Sequence, residues 1–144
     1  MNYKNKFNYL KFRLKRKINS SLFFCTFSLK NTTMNIPQRI APFVQLGELL
    51  KADYQQPGAS ALIQKSYLQN YWFTPAFTAQ SLQAIAEHYL DADKLRAWLA
   101  DYELAPVDVP QKIGVVMAGN IPAVGFHDAL CVLISGHHLL AKLS

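Results

Sequence analysis

The stretch QKIGVVMAGNIPAVGFHDALCVLISGHHLLAKLS, residues 111–144, decides the fold class of this chain. Residues 113–118 form a short apolar run rich in Val and Ile, which is long enough for a buried strand but too short for a helix. Gly119 and Asn120 end the run, because both residues tolerate backbone conformations that β-branched residues resist. The pattern therefore predicts a buried strand followed by a loop.

A helix and a second strand are expected after that loop. Pro122 suits the first turn of a helix, where its missing N–H has no partner to lose. We expect the helix over residues 123–135, with Gly136 ending it in a left-handed conformation. Residues 129–134 are apolar on all sides, which predicts burial of that half of the helix. With residues 138–143 as the second strand, the pattern predicts a β–α–β unit of two parallel strands and a right-handed crossover.

The loop at residues 117–122 is the place where we expect the functional site. Ligands of open α/β sheets bind outside the carboxyl ends of the strands, where loop backbone and helix N-terminus converge. The loop offers backbone N–H groups, and Asn120 adds a side-chain amide that can donate hydrogen bonds. A competing interpretation gives Asn120 a structural role in turn geometry and in capping the helix near Pro122.

The segments MAGNIPAVGFHDALCVLISGH and LLAKLS closely resemble acyl-CoA reductases of the LuxC type, a branch of the aldehyde dehydrogenase superfamily. Asn120-Ile121-Pro122 matches the Asn element of that superfamily's dinucleotide-binding domain, and Lys142 matches its strand-end Lys. The upstream segments NYWFT, residues 70–74, and KLRAWL, residues 94–99, also resemble the branch. The resemblance covers residues 34–144.

The resemblance implies an α/β fold and an NADPH-dependent, aldehyde-forming reduction of fatty acyl-CoA. The implied architecture is a helical N-terminal segment, residues 34–104, followed at residues 105–144 by the first β–α–β unit of an aldehyde-dehydrogenase-like Rossmann domain. The acyl group passes to a cysteine that lies outside this chain. The chain is therefore expected to be an N-terminal fragment that is inactive alone. The implied whole enzyme is a cytoplasmic homo-oligomer.

The same resemblance implies roles for particular residues. Asn120 is the catalytic residue that stabilises the oxyanion formed on the acyl carbonyl. Lys142 contacts the adenosine ribose of NADPH or its 2′-phosphate. The backbone that lines the cofactor comes from the end of the first strand and the start of the loop, namely Val116, Met117, Ala118 and Gly119.

The positive charge of the chain is concentrated at its start. The net charge is +6, yet residues 1–33 hold eight of the fifteen bases and none of the nine acids. A secretory signal, a membrane-surface helix and a nucleic-acid-binding arm are possible interpretations. We favour an unstructured or mistakenly translated extension before Met34, because the family resemblance begins at Met34. The apolar run at residues 22–29 is also far shorter than the roughly 20 residues of a membrane span. Neither a membrane span nor a nucleic-acid partner is expected.

Helical periodicity fills most of the chain between this extension and the strand unit. Apolar residues recur there at three- and four-residue spacing. Residues 105–111, which contain Pro106 and Pro110, are expected to connect the last helix to the first strand. The predicted helices begin at Ile36, at Ser60 (to Asn70), at Ala79 with Thr78 as the cap (to Tyr89), and after a cap at Asp91 or Asp93.

Two other groups of residues invite chemical interpretations. Cys131 lies in the apolar part of the predicted helix, where a core position is favoured over a nucleophile. His127 and Cys131 share one helix face, but adjacent His137 and His138 point to opposite faces of a strand, so no metal site is expected. Two cysteines are too few for a disulfide scaffold and favour a reducing compartment.

The aromatic segment that begins at Trp72 leaves two interpretations open. Trp72 and Phe73 stand beside Thr74 and Pro75 in a predicted turn. Aromatic rings in a turn can stack on a ligand, but a hydrophobic clasp between helices is favoured. A class of function other than an enzyme also stays open, namely a non-catalytic helical interaction module with a basic N-terminal arm.

Overall fold

The fold of this 144-residue chain comes from a computed structural model, which describes residues 10–15, 24–29, 34–55, 58, 60–104 and 106–142. Within these residues the protein is a mixed α/β structure. The helices α1–α5 span Ile36–Tyr54, Ala61–Gln69, Pro75–Ala84, Ala92–Ala100 and Phe126–Ile134, with a π-helical turn at Ile85–Tyr89, and the strands β1–β4 span Leu10–Lys15, Phe24–Leu29, Lys112–Val116 and His138–Lys142.

The described strands form one sheet in the order β1-β2-β4-β3. The last two strands are parallel, with Ile113 opposite Leu139 and Val116 opposite Lys142. The helix α5 connects them, so residues 112–142 form the predicted strand–helix–strand unit with a parallel pair. Strand β3 lies at the edge of the described sheet, which leaves one side of its backbone without a neighbouring strand.

The basic N-terminal segment contributes two strands, where the sequence predicts an unstructured extension. Strand β2 is antiparallel to β1 and also to β4, with Phe24 opposite Lys142. This pairing satisfies the backbone of β4 on the side opposite β3, which explains why an extended conformation is adopted there. Strand β2 covers residues 24–29 of the apolar run at residues 22–29, and the first two residues of that run lie outside the described ranges. None of the described helices combines the length and the apolar content needed to cross a membrane.

The N-terminal caps of the first helices follow from the local sequence. Asn35 and Gln38 form a capping box at α1, each side chain bonding the other's backbone N–H at 3.0 Å. The second helix was predicted over Ser60–Asn70; it spans Ala61–Gln69, and Ser60 is its N-cap, with a hydroxyl that accepts from the N–H of Ile63. The choice between two aspartates at α4 is resolved in favour of Asp91, whose carboxylate accepts from two backbone N–H groups of the first turn.

Helix α3 begins earlier than predicted. It starts at Pro75, with Thr74 as the cap, rather than after Thr78. Thr78 is only 5% exposed, and its hydroxyl donates to the carbonyl of Phe73 at 3.2 Å. Proline at the first helical position and threonine before it are both favourable there, so local chemistry outweighed the apolar spacing that suggested the later start.

Helix α5 begins later than predicted, at Phe126 instead of residue 123. Residues 122–125 are turns, and Ala123 has a φ of 56°, in the left-handed region that a non-glycine residue rarely adopts. Pro122 therefore does not lie in the first turn of the helix. The predicted end is confirmed, because Gly136 follows the helix with a φ of +94°.

The core lies between the sheet and the N-terminal helices, and α5 runs through it. Five of the six residues from 129 to 134 are buried, which confirms the predicted burial, whereas Cys131 is half-buried. Leu139 and Ala141 cover α5 from the sheet side. The opposite side of the core is built from apolar residues of α1, the π turn and α4, namely Ile40, Phe43, Ile85, Leu90, Leu95 and Leu99.

Candidate functional site

The candidate site lies at the carboxyl ends of the two parallel strands. Val116 is the last residue of β3 and pairs with Lys142, the last residue of β4. One residue further on, the N–H of Met117 donates to the carbonyl of Lys142 at 2.9 Å. The backbones of the first loop residue and of the strand-end lysine are therefore adjacent at the carboxyl ends of the two parallel strands. Open α/β sheets bind ligands just outside these ends.

Two side chains from the helical segment hold the loop in place. The amide of Asn70 donates from Nδ2 to the carbonyl of Gly119 at 3.1 Å. The hydroxyl of Ser81 donates to the carbonyl of Pro122 at 2.7 Å. The backbone on either side of Asn120 is thus fixed by long-range hydrogen bonds. Asn120 projects from a braced segment rather than from a free loop.

Neither of these bracing residues can be assigned from the sequence. The pattern predicts Asn70 as the end of a helix and the first residue of NYWFT, and Ser81 as part of the next helix. Their partners are backbone carbonyls 49 and 41 residues away, and such pairings leave no periodicity or spacing in a sequence. A polar residue at the end of a helix, as Asn70 is at the C-terminus of α2, was the one available signal.

The structure contradicts the capping role for Asn120. The N-cap of α5 is Gly125, and no side chain caps that helix. Asn120 is exposed, and its side chain makes no hydrogen bond to any residue that the structure describes. The two N–H donors and the carbonyl acceptor of its amide are therefore not used by the described residues.

The residues predicted to line a cofactor lie together but differ in what they expose. Val116 is 75% exposed, and Ala118 is also exposed. Met117 turns its side chain toward Gly125 and the core, and its N–H is already bonded to Lys142, so it cannot donate to a ligand. Gly119 is half-buried, with its carbonyl taken by Asn70.

Lys142 combines partial burial with a free ammonium group. Its side chain is half-buried at the end of an otherwise apolar strand, and it forms no ion pair with any described residue. An ammonium in such a position is not fully desolvated, so it does not carry the large cost of a buried unpaired charge. It remains able to attract an anionic group.

The aromatic segment before α3 does not form the expected clasp. Trp72 is 83% exposed and Tyr71 is 70% exposed, so neither ring is packed between helices. Phe73 is half-buried. The backbone N–H of Trp72 donates to the Asn70 side chain at 3.0 Å, which places this aromatic turn next to the braced loop. The hydrophobic-clasp interpretation is therefore wrong for Trp72.

The thiol of Cys131 is half-buried, although the sequence favoured a core position for it. Its Sγ lies 3.9 and 4.0 Å from the two ring nitrogens of His127, one turn earlier in α5. Burial raises the pKa of the thiol, and the nearby carboxylate of Asp128 raises it further. Over the described ranges no three His, Cys, Asp or Glu side chains converge closely enough to hold a metal ion.

Comparison with protein-family models, with curated proteins and with solved structures finds no match. The features of the described chain that bear on function are the geometry of the loop at residues 117–122 and of the strand ends beside it.

Proposed function

We propose that this chain is the N-terminal part of a cytoplasmic, homo-oligomeric, NADPH-dependent acyl-CoA reductase. Its β–α–β unit opens an aldehyde-dehydrogenase-like Rossmann domain, and the loop at residues 117–122 is one side of the active site. Fatty acyl-CoA is the substrate, and a cysteine outside this chain accepts the acyl group. Asn120 is the catalytic residue that this chain contributes.

The observation that carries the proposal is the exposed, unbonded amide of Asn120 between two anchored carbonyls. Asn70 fixes the residue before it, and Ser81 fixes the second residue after it. A donor that is positioned before the reaction stabilises a developing oxyanion without reorganisation, and removal of one such donor costs about 3 kcal/mol. The amide has no structural role within the described chain that would explain its position.

Lys142 supports the cofactor assignment. The backbone of Lys142 adjoins the start of the loop, because its carbonyl accepts the N–H of Met117. Its side chain, half-buried at the carboxyl end of β4, forms no ion pair with any described residue. There it can bind the 2′-phosphate or the ribose of NADPH, and the exposed backbone around Ala118 can lie against the cofactor. NADPH supplies the hydride that reduces the enzyme-bound acyl group. The chain's own contribution is to hold the cofactor at the strand ends and to place the Asn120 amide at the acyl oxygen.

Titration of the chain with NADPH tests the cofactor site. Lys142→Gln removes the charge at the carboxyl end of the parallel pair. Lys112→Gln removes an exposed charge at the opposite end of the same pair and is the matched control. We expect Lys142→Gln to weaken NADPH binding by roughly tenfold, the effect of about 1.4 kcal/mol, with Lys112→Gln unchanged. Equal affinities for the two variants and the parent chain would contradict the assignment.

Acyl-CoA-dependent oxidation of NADPH tests the catalytic role in the product of the whole reading frame. Asn120→Ala is expected to lower kcat by roughly 100-fold while leaving the KM for NADPH within about twofold. Asn120→Asp replaces the donor by a carboxylate and is expected to be at least as damaging. If Asn120→Ala retains full activity, the Asn120 amide does not stabilise the oxyanion and the proposed catalytic role is wrong.

The exposed aromatic turn favours a second candidate, the non-catalytic interaction module. Tyr71, Trp72 and Phe77 are each more than half exposed, and exposed apolar groups of this size often mark contact surfaces. Under this alternative, NADPH does not bind, and Trp72→Ser abolishes capture of a partner protein by the chain. Specific NADPH binding that depends on Lys142 decides in favour of the reductase.

A further inference from the structure

A concave site lies away from the loop, between the π turn, α4 and the start of α5. It is a cleft of about 230 Å³. None of residues 117–122 lines it, and Asn120 and Lys142 take no part in it. The lining consists of aromatic, apolar and basic side chains, namely His88, Tyr89, Lys94, Leu95, Trp98, His127 and Leu130.

Three rings converge in this cleft. The ring of His127 lies 5.4 Å from that of Tyr89 and 6.1 Å from that of Trp98, measured between centroids, and both pairs are tilted. These rings come from three different elements. Tyr89 is 41% exposed and Trp98 is half-buried, so the rings retain surface on which another planar group can stack. Leu95 and Leu130 form the apolar part of the lining.

The π turn is what brings His88 and Tyr89 to the cleft. An ordinary continuation of α3 rotates successive side chains by one helical step, whereas a π turn contains an extra residue and shifts the side chains that follow. Such turns are uncommon and occur frequently at functional sites. Here the turn ends at Tyr89 itself.

The polar part of the lining is basic. The ammonium of Lys94 is anchored by a hydrogen bond of 2.9 Å to the carbonyl of Glu87, the residue before His88. The imidazoles of His88 and His127 can donate N–H groups in any protonation state. No carboxylate is among the lining residues. Three acids on these elements have other partners: Asp91 accepts the N–H groups that cap α4, Glu87 accepts from Gln83, and Asp93 pairs with Arg96. Asp128, which follows His127 on α5, does not line the cleft.

We propose that this cleft binds a small planar aromatic anion. Its ring stacks among Tyr89, Trp98 and His127, and its carboxylate or other anionic group faces Lys94 and His88. The volume suits one or two fused rings rather than a whole dinucleotide. A cationic ligand is disfavoured for two reasons. The ammonium of Lys94 repels it, and the lining contains no carboxylate to pair with its charge. The site is separate from the loop and does not depend on the proposed reductase activity.

Three compounds matched in size test the ligand class on the 144-residue chain, with ¹H–¹⁵N NMR shifts as the readout. 2-Naphthoate is a planar anion, 2-naphthylmethanol is its neutral counterpart, and decahydronaphthalene-2-carboxylate, the saturated form of 2-naphthoate, is an anion without a flat ring. We expect 2-naphthoate to bind with a Kd of roughly 1 mM or below and to shift the Trp98 indole signal. We expect each of the other two compounds to bind at least about tenfold more weakly.

Paired variants locate the site. Tyr89→Leu removes one stacking ring, and its control is Tyr71→Leu, an exposed tyrosine in the turn after α2. Lys94→Gln removes the charge, and its control is Lys65→Gln, an exposed lysine of α2. We expect Tyr89→Leu and Lys94→Gln each to weaken 2-naphthoate binding by about tenfold and the controls to leave it unchanged.

Each other outcome overturns the proposal. No shift of the Trp98 signal at about 10 mM 2-naphthoate rules out the site. Equal affinity for 2-naphthylmethanol rules out the anionic class. Shifts confined to the Trp72 indole place the compound on the aromatic turn instead. If Tyr89→Leu fails to fold, judged by circular dichroism, the pair Lys94→Gln and Lys65→Gln still decides, because both lysines are exposed.

Discussion

The side chain of Asn70 joins the turn after α2 to the carbonyl of Gly119. Its Nδ2 donates to that carbonyl at 3.1 Å, and its Oδ1 accepts the N–H of Trp72 at 3.0 Å. One amide thereby fixes both the aromatic turn and the loop that carries Asn120. The donor and the acceptor of the same side chain are both used, so substitutions can separate the two functions.

Substitution of Asn70 is expected to loosen the loop. Asn70→Ala removes both hydrogen bonds and should lower the free energy of unfolding by about 1–3 kcal/mol. Asn70→Asp keeps the acceptor for Trp72 but sets a carboxylate against the carbonyl of Gly119, so it should be no better than alanine. Hydrogen exchange at residues 117–124 should accelerate in both variants. Thermal unfolding and amide exchange measure these effects.

The neighbouring residue Gln69 provides the control for Asn70. It is exposed at the end of α2 and forms no side-chain hydrogen bond with described residues. Gln69→Ala should therefore change the free energy of unfolding by less than about 0.5 kcal/mol and leave loop exchange unaltered. If Asn70→Ala behaves like Gln69→Ala, the hydrogen bond to Gly119 does not brace the loop.

The elements that the sequence predicted well are those with a strong local signal. The strand before Gly119, the apolar helix that Gly136 ends and the cap at Asp91 all depend on residues within one or two turns of one another. The predicted burial of that strand is wrong, because the residues of β3 are exposed or half-buried at the edge of the described sheet. The parallel pairing follows from the crossover that a buried helix between two short strands requires. The same topology predicts that the candidate site lies at the carboxyl ends of the parallel strands.

The features that sequence reasoning could not supply are set by distant contacts. Ala123 adopts a positive φ, and the carbonyl of the preceding residue, Pro122, accepts a hydrogen bond from the hydroxyl of Ser81. The π turn at Ile85–Tyr89 continues a helical pattern that looks regular in the sequence. The exposure of Trp72 also has no local cause, because aromatic residues near a helix start are equally compatible with burial. Tertiary structure decides all three.

A methyl group at Gly125 is expected to displace the start of the loop. A Cβ there would lie 2.5 Å from Cγ and 3.1 Å from Cβ of Met117, well inside van der Waals contact and against the base of that side chain. The φ of Gly125 is −82°, which alanine adopts freely, so the cost comes from the collision. Gly125→Ala should lower the free energy of unfolding by about 1–3 kcal/mol, measured by denaturant titration.

Two further variants isolate the collision at Gly125. Gly125→Ala combined with Met117→Ala should recover part of the loss, because the smaller side chain makes room for the methyl group. Gly114→Ala, in β3, is the matched glycine control, since a Cβ there meets nothing within 4 Å. It should be neutral or slightly stabilising. A loss at Gly114 as large as that at Gly125 would mean that contact with Met117 is not the cause.

The buried guanidinium of Arg39 makes Gly136 a second position that cannot accept a side chain. Arg39 is 3% exposed and donates to the carbonyls of Met34 and Ser135 at 2.9 and 3.1 Å. A Cβ at Gly136 would lie 3.0 Å from the Arg39 Cζ, and the φ of +94° adds strain. Gly136→Ala should therefore lower the melting temperature by more than Gly58→Ala.

Gly58 supplies the reference for backbone strain alone. Its φ is +83°, and a Cβ there meets nothing within 4 Å. Gly58→Ala should lose about 1–2 kcal/mol, the cost of the left-handed conformation. Gly136→Ala should lose at least about 1 kcal/mol more, because the guanidinium has to move away from the carbonyls it bonds. Equal losses at the two glycines would show that Arg39 adapts without cost.

The thiol of Cys131 should be unreactive at neutral pH and should make stability fall in alkaline solution. Burial, and then the charge of Asp128, raise the pKa of the thiol above its ordinary value of 9.0. Below that ordinary value the thiol is protonated in both folded and unfolded chains, so it makes no pH-dependent contribution. As the pH rises past it, the unfolded chain releases the proton first, and the free energy of unfolding should decrease up to the raised pKa of the folded state.

Alkylation with iodoacetamide in a Cys25→Ser background measures the reactivity of Cys131 directly. The folded chain should react more slowly at pH 7.5 than the chain unfolded in urea, because the thiolate is the nucleophile and is scarcer when the pKa is raised. The rate for the folded chain should continue to increase above the ordinary thiol pKa, where the rate for the unfolded chain levels off. A folded-state rate equal to the unfolded one at pH 7.5 would mean that partial burial neither shields the Cys131 thiol nor raises its pKa.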